Sequence, residues 1–479
     1  MVYINRRRFL KTTAAISMAS GTSALATLNR GKAYAADVSG YKALVCVFLK
    51  GGIDHADTVL PYDQSSYDDL KAVRPNLFDA YAGAPQASSR DRSELLSLSL
   101  ENGGDFPGRQ FALPYSLEPL HSLFEAGDAA IIGSLGPLIE PTRRLPDDSY
   151  TGRLPKRLFS HNDQQSTWMS LGTEGSQFGW GGRFADAAIA ANPGGNAAFT
   201  AISATGNDVF LAGAQARPYR VSSNGPESIR YLTQNHLLGS GRNSTRARQL
   251  LAEHFASSGI NPDNLYMQDL AAQNARGIES NENFRNAYEN AMELTTEFPD
   301  SSLGRQLKSV AETISIQNLI NVNRQVFYVS TGGFDSHNNQ AKSLPGRHSD
   351  IANSMAAFHQ AMIEIGMQNN VTSFTASDFG RTLISNGDGT DHGWGGHHFV
   401  VGGAVNGKRL YGEMPSFDLE AETYTKSRGR LIPSVSVDQY AATLGNWFGL
   451  DSSELNGALP NLSNFTQKDL GFMQGGLST

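Results

Sequence analysis

Residues 43–54 read Ala43-Leu44-Val45-Cys46-Val47-Phe48-Leu49-Lys50-Gly51-Gly52-Ile53-Asp54. An unbroken apolar run with no polar alternation describes a strand covered on both faces, the environment of a parallel sheet. The run breaks at Gly-Gly, where the chain can turn sharply and approach another backbone closely, and it ends on an acid. Ala129 to Gly133, Gln325 to Ser330, Val371 to Ser377 and Phe399 to Val401 have the same apolar character. Parallel strands need crossover connections, and the sequence supplies them. Leu303, Leu307, Val310, Ile314 and Leu319 repeat at close to a helical period just before the strand at Gln325, and Ile351, Met355, Phe358, Met362 and Ile365 do so before Val371. Helix-strand units in succession predict an α/β fold with a central, mostly parallel sheet flanked by helices.

The acids follow from that frame. Asp54 comes just after the first strand, Gly332-Gly333-Phe334-Asp335-Ser336-His337 follows the strand at Gln325, and Ser377-Asp378-Phe379-Gly380-Arg381-Thr382 follows the strand at Val371. One Asp after a strand commonly caps a helix or closes a turn. Three delivered to the carboxyl edge of one sheet, where open α/β proteins bind ligands, predict a shared site. Carboxylates and imidazoles gathered there are metal ligands by preference, since a cation offsets their mutual repulsion. Further imidazoles come from Asp391-His392-Gly393-Trp394-Gly395-Gly396-His397-His398, which can fold over the same edge. The expected ligands are Asp54, Asp335, His337, Asp378 and His392. Leu158-Phe159-Ser160-His161-Asn162-Asp163 adds a hydroxyl beside a His and an Asp, so Ser160 reads either as a nucleophile at a helix start or as that helix's N-cap.

The chain opens with Asn5-Arg6-Arg7-Arg8-Phe9-Leu10-Lys11, then a weakly apolar stretch, then Ala33-Tyr34-Ala35. Paired arginines before Phe-Leu-Lys, with an A-x-A cleavage site, predict a signal for the twin-arginine translocase, which exports proteins already folded, and hence a periplasmic or extracellular location. Removing residues 1–35 takes away six basic residues and no acids, so the net charge goes from -7 to -13. Such an acidic surface argues against nucleic acid and against anionic membrane. No later apolar run is long enough to act as a stable membrane anchor. Residues 36–479 are expected to form one domain. Residues 191–242, rich in Gly, Asn and Ser, are expected as an insertion or cap, and Ser280 to Asn286 as a helix junction. The single cysteine, Cys46, lies inside the first strand and is expected to be buried and inert.

Gly51-Gly52-Ile53-Asp54, Ser160-His161, Gly332-Gly333-Phe334-Asp335-Ser336-His337, and above all Ser377-Asp378-Phe379-Gly380-Arg381-Thr382 through Gly389-Thr390-Asp391-His392-Gly393, resemble the family catalogued as domain of unknown function 1501. That family is grouped with the alkaline phosphatase and sulfatase superfamily, whose metals sit at the carboxyl edge of a central sheet. The resemblance implies metal ligation by Asp54, Asp335 with His337, Asp378 and His392, and a nucleophile that Ser160 can supply. Where the superfamily usually places a His directly after the second-metal Asp, this chain has Phe379, leaving His392, His397 or His398 for that role or no second metal at all. Together these readings lead to an exported hydrolase of a phosphate or sulfate ester, dependent on one or two divalent ions (Zn, Mn, Ca or Mg), with Arg381 meeting an anionic oxygen of the substrate. The competing reading is a non-catalytic exported binding or assembly protein on the same scaffold.

Overall fold

The computed structural model describes residues 40–192, 197–206, 208–223, 225–226 and 265–475, with a few positions between 246 and 254. The leader expected over residues 1–35 and most of the second half of the 191–242 stretch lie outside the described residues.

The apolar runs are strands: β1 Lys42–Leu49, β2 Ala129–Gly136, β3 Ala201–Ser203, β4 Tyr219–Arg220, β5 Arg324–Thr331, β6 Val371–Ser377, β7 Arg381–Ser385, β8 Thr390–His392, β9 Gly396–Val401, β10 Leu410–Tyr411 and β11 Val435–Ser436. The main sheet has the order β10-β2-β9-β6-β1-β5-β3-β4, with β11 beside β2. Only β9 runs antiparallel to its neighbours, β6 and β2, so the sheet is mostly parallel as the apolar runs predict.

The alternation of β1 separates two cores. Ala43, Val45, Val47 and Leu49 pack with the helices α5 Ser302–Ser315 and α6 Gln340–Glu364 on one face. Leu44, Cys46 and Phe48 pack with α3 Trp180–Ala191 and α7 Val437–Phe448 on the other. Every residue of β1 after Lys42 is buried, which is why no polar position interrupts the run. Cys46 is buried, and burial pushes its thiol well above the ordinary range, the state of an inert core thiol.

Two expectations change. Ser280 to Asn286 is not a junction: α4 runs unbroken as Leu265–Tyr288, held there by Phe284, whose ring lies 5.2 Å from Phe199 and 4.9 Å from Tyr219. The described part of the stretch expected as an insertion or cap holds β3 and β4, which extend the sheet beside β5. The helix before β5 also ends at Ser315 rather than Leu319, which is left exposed.

Register sets the edge that matters. Leu49 stands opposite both Thr331 and Ser377, so β1, β5 and β6 end level with one another and the loops carrying Asp54, Asp335 and Asp378 leave from one line. Gly51, at φ 121°, makes this crowding possible: a Cβ there would lie 2.2 Å from the backbone nitrogen of Asp335.

Candidate metal centre

Asp335 is the hub. Its Oδ1 lies 3.1 Å from His337 Nε2 and 3.4 Å from His392 Nε2, and its Oδ2 lies 3.4 Å from His161 Nε2. His337 Nε2 and His392 Nε2 are 2.9 Å apart. His161 is the first residue of α2 His161–Ser170, His392 the last of β8, and Asp335 and His337 belong to the loop after β5.

The other nitrogen of each ring decides what these contacts mean. His161 Nδ1 faces Asp378 Oδ2 at 2.5 Å, His337 Nδ1 faces Asp391 Oδ1 at 3.1 Å, and His392 Nδ1 faces the carbonyl oxygen of Phe159 at 2.9 Å. Carboxylates and carbonyls only accept, so each Nδ1 carries the proton and donates. In the neutral rings each Nε2 is then a bare lone pair, and three of these surround one carboxylate. Such a set repels itself unless a cation or extra protons sit among the donors. Histidines that bind metal through one nitrogen and donate the other to a carboxylate or carbonyl are the usual outer-sphere arrangement. Donors about 2.1 Å from a tetrahedral ion stand roughly 3.4 Å apart, and the contacts of 2.9 to 3.4 Å here lie at or just inside that spacing. His161, Asp335 and His392 form a group able to hold a metal ion, with one ligating atom from each within 4.8 Å of the others, and His337 adjoins it. Asp335 and His337 are exposed and His161 and His392 half-buried, so the group faces solvent on one side.

The charges support this picture. The hydrogen bond that His161 donates to Asp378 raises the pKa of His161 above its usual value against the opposing effect of burial. Burial and the Arg381 charge lower that of His337, and burial lowers that of His392. Burial works to raise the pKa of Asp335, but the hydrogen bond and charge of Arg381 outweigh it and hold the carboxyl below the ordinary range. His161 is therefore the ring that protons contest most strongly, and metal affinity should climb as pH rises through its raised pKa. Asp378→Asn is expected to weaken zinc binding roughly 10- to 100-fold, the usual effect of losing an outer-sphere carboxylate, and to move that climb to lower pH. Zinc titrations between pH 5 and 8 read both, and an unmoved pH midpoint would show that Asp378 does not govern His161.

Several expected ligands stand elsewhere. Asp54 is buried and caps the short helix α1 His55–Thr58. Arg74 grips both its oxygens, at 2.8 and 2.9 Å, and Gln340 donates to Oδ2 at 2.7 Å. A carboxylate so occupied has no direction left for a metal, and the correction is that Asp54 anchors the loop. Asp378 stands fully buried behind His161, which it orients: Gln165 donates to the same Oδ2 at 3.0 Å, and Oδ1 is buried with no hydrogen-bond partner among the described residues. Arg381 cannot meet a substrate oxygen. It is fully buried and donates to Asp335 at 2.7 Å, to the Gly51 carbonyl at 2.9 Å, and to the hydroxyl and carbonyl of Thr390. His397 and His398 are core residues of β9: His397 Nδ1 accepts from the Ser134 amide, and His398 packs 5.0 Å from Trp168. Phe379 lies 4.8 Å from His161 and 4.6 Å from His392, an apolar floor under the two rings. Ser160 is half-buried and heads α2 without its hydroxyl capping the helix.

The residues that the linear pattern did not single out as ligand and support are His161, Asp391 and the cations at the rim. A His at the first turn of a helix, next to a hydroxyl, is the one signal that could have marked His161 as a ligand. Arg430 donates Nε to the His392 carbonyl at 2.9 Å and stacks 4.1 Å over Phe159, and the exposed Arg428 pairs with Asp391. The cluster is an open surface site. A cavity of about 690 Å³ lies instead along the β10 side, and its polar walls are engaged within the fold: the Tyr411 hydroxyl donates to the Asn406 carbonyl, and Asn102 to the Leu410 carbonyl.

The model of the family described as "Protein of unknown function (DUF1501)" matches residues 142–459, which include His161, Asp335, His337, Asp378, Arg381 and His392. No curated protein matches the chain in sequence. Among solved structures, the chain is similar to Ps i-CgsB in complex with k-i-k-neocarrahexaose (TM-score 0.35, 9% identity, 87% of this chain and 74% of that one) and to Ps i-CgsB alone (0.34, 8%, 89% and 77%). It is also similar to the Bacteroides thetaiotaomicron protein BT33494S-sulf, from a locus for metabolism of multiple glycosaminoglycans (0.33, 10%, 87% and 74%). Overlap this loose carries no residue role from one chain to another.

Proposed function

The chain belongs to the DUF1501 family of proteins of unknown function, and from that premise we propose that it is an exported, metal-dependent hydrolase of a phosphate or sulfate ester. The observation that carries this reading is the convergence of three imidazole Nε2 atoms and one carboxylate on a solvent-facing point. His161, Asp335, His337 and His392 would hold the ion, and their imidazole-rich set favours a transition metal such as zinc over calcium or magnesium. When bound, a divalent ion supplies Lewis acidity toward an ester oxygen and acidifies water. Asp378 and Asp391 keep the rings in the ligating tautomer. Arg428 and Arg430, in place of the buried Arg381, flank the centre and suit an anionic substrate. Ser160, one residue before His161, is the hydroxyl best placed in sequence to act as nucleophile. The leader supports passage through the twin-arginine translocase to the periplasm. No helix of the described residues is long and apolar enough to cross a membrane.

Phe379 favours a second reading, metal-dependent binding without turnover, because the position after Asp378 is an apolar ring that cannot ligate a second ion. Purified protein assayed for metal content and for turnover of phosphate and sulfate monoesters separates the two. We expect hydrolysis that disappears on chelation and returns with zinc. Bound metal with no turnover of either ester would overturn the hydrolase and leave the binding protein, and a chain that takes up no metal would overturn both.

A further inference from the structure

We propose that Gln340 and Thr390 are positioning residues of the metal centre, which hold Asp335 on its ligating line through Arg381; this rests on the metal reading above. Gln340 opens α6 and is fully buried. Its amide nitrogen donates to Asp54 Oδ2 at 2.7 Å and to Asp57 Oδ2 at 3.0 Å, and its amide oxygen accepts from Ser336 Oγ at 3.0 Å and Thr390 Oγ1 at 2.8 Å. Two donors and two lone pairs are thus all in use. The amide cannot flip without placing its oxygen against two carboxylates, so its orientation is dictated by Asp54 and Asp57. Each of those carboxylates is paired with a buried arginine, Asp54 with Arg74 and Asp57 with Arg90.

The direction is handed on. Thr390 gives its single hydroxyl proton to Gln340 and is left to accept from Arg381 Nε, at 3.3 Å, while its carbonyl accepts from Arg381 Nη2. Arg381 Nη1, pinned on one side by the Gly51 carbonyl at 2.9 Å, then reaches Asp335 Oδ1 at 2.7 Å, the oxygen nearest His337 and His392. Both ligand loops are tied to the same amide. The Thr390 amide donates to the Ser336 carbonyl and the Gln340 amide to the Asp388 carbonyl, each at 2.9 Å. A shift at Gln340 is therefore felt by the loop of Asp335 and His337 and by the loop of Asp391 and His392 together. Buried polar networks rigidify when every member is satisfied, and they lose definition when one link is cut.

The test uses the full mature chain and zinc alone. Thr390→Val deletes the hydroxyl link at nearly constant volume, and Thr390→Ser restores it. We expect Thr390→Val to bind zinc roughly 10- to 100-fold more weakly and Thr390→Ser to stay within about threefold of the parent, as for other outer-sphere links. The cobalt(II)-loaded Val variant should also show a changed visible absorption, because Asp335 leaves its line, whereas the Ser variant should match the parent. Thr390→Ala, which removes the same hydroxyl and brings no new polar group into the network, should reproduce the loss and stands in if the Val variant does not fold. A Val variant with a lowered melting temperature but parental zinc affinity and cobalt spectrum would overturn the inference and leave a purely structural role. If the parent itself binds no zinc, the metal reading fails and this inference with it; if the parent binds and the variants bind equally well, this inference alone fails.

Discussion

Replacing Asp335 by alanine is expected to abolish zinc binding while the chain stays folded. Among the described residues the carboxylate contacts His161, His337 and His392 together, so its loss would remove a donor and the negative charge that would draw a cation to the three rings. It also leaves the Arg381 guanidinium facing the rings with its charge uncompensated on that side, which repels a dication. The loss should exceed the roughly 10- to 100-fold expected for outer-sphere partners such as Asp378. Stability should fall little, because Asp335 is an exposed loop residue and Arg381 keeps its bonds to Gly51 and Thr390. Titration calorimetry with zinc, beside a denaturant melt of the metal-free protein, checks both halves. Zinc affinity within tenfold of the parent would mean that the ion, if any, lies elsewhere.

Removing Arg74 is expected to cause the largest loss of stability of any single change near the site. Arg74 is the residue after the helix Gln64–Val73, just before Pro75, and its buried guanidinium satisfies both oxygens of Asp54 and the carbonyls of Thr382 and Leu383. In Arg74→Ala the Asp54 carboxylate stays buried with only Gln340 and the Ala56 amide as donors. Stranding one member of a buried pair costs about 3–5 kcal/mol, a large part of the roughly 5–15 kcal/mol that holds a typical domain together. The denaturant midpoint should drop accordingly, or soluble protein should be lost. Asp54→Asn, which keeps an acceptor and sheds the charge, should retain zinc binding in the fraction that folds. A midpoint unchanged by Arg74→Ala would show that the buried pair does not carry this stability.

The sequence by itself determined that a mostly parallel sheet is present and where its strands end. Strands such as Val371–Ser377 are buried on both faces, so local composition alone records them. It also determined that Asp54, Asp335 and Asp378 leave one edge of the sheet, because an acid follows each of three strands that a parallel sheet must bring level. The exact extent of elements was less legible: the periodic residues up to Leu319 overrun α5, and the polar Ser280 to Asn286 conceals a helix whose only strong anchor is Phe284.

What each group at that edge does was decided only by tertiary structure. Asp54 and Asp335 follow similar Gly-Gly turns and look alike in sequence, yet one is sealed by Arg74, twenty positions away, and the other stands open among three imidazoles. His161 joins the cluster because α2 docks its first turn between Asp378, 217 positions later, and Asp335. Arg381 looked like an anion-binding arginine and proved to be buried and bonded to Gly51, Thr390 and Asp335. The physical reason is common to all three: a side chain's role depends on which of its polar atoms are left unpaired, and the atoms that pair them arrive from distant loops that local pattern does not record.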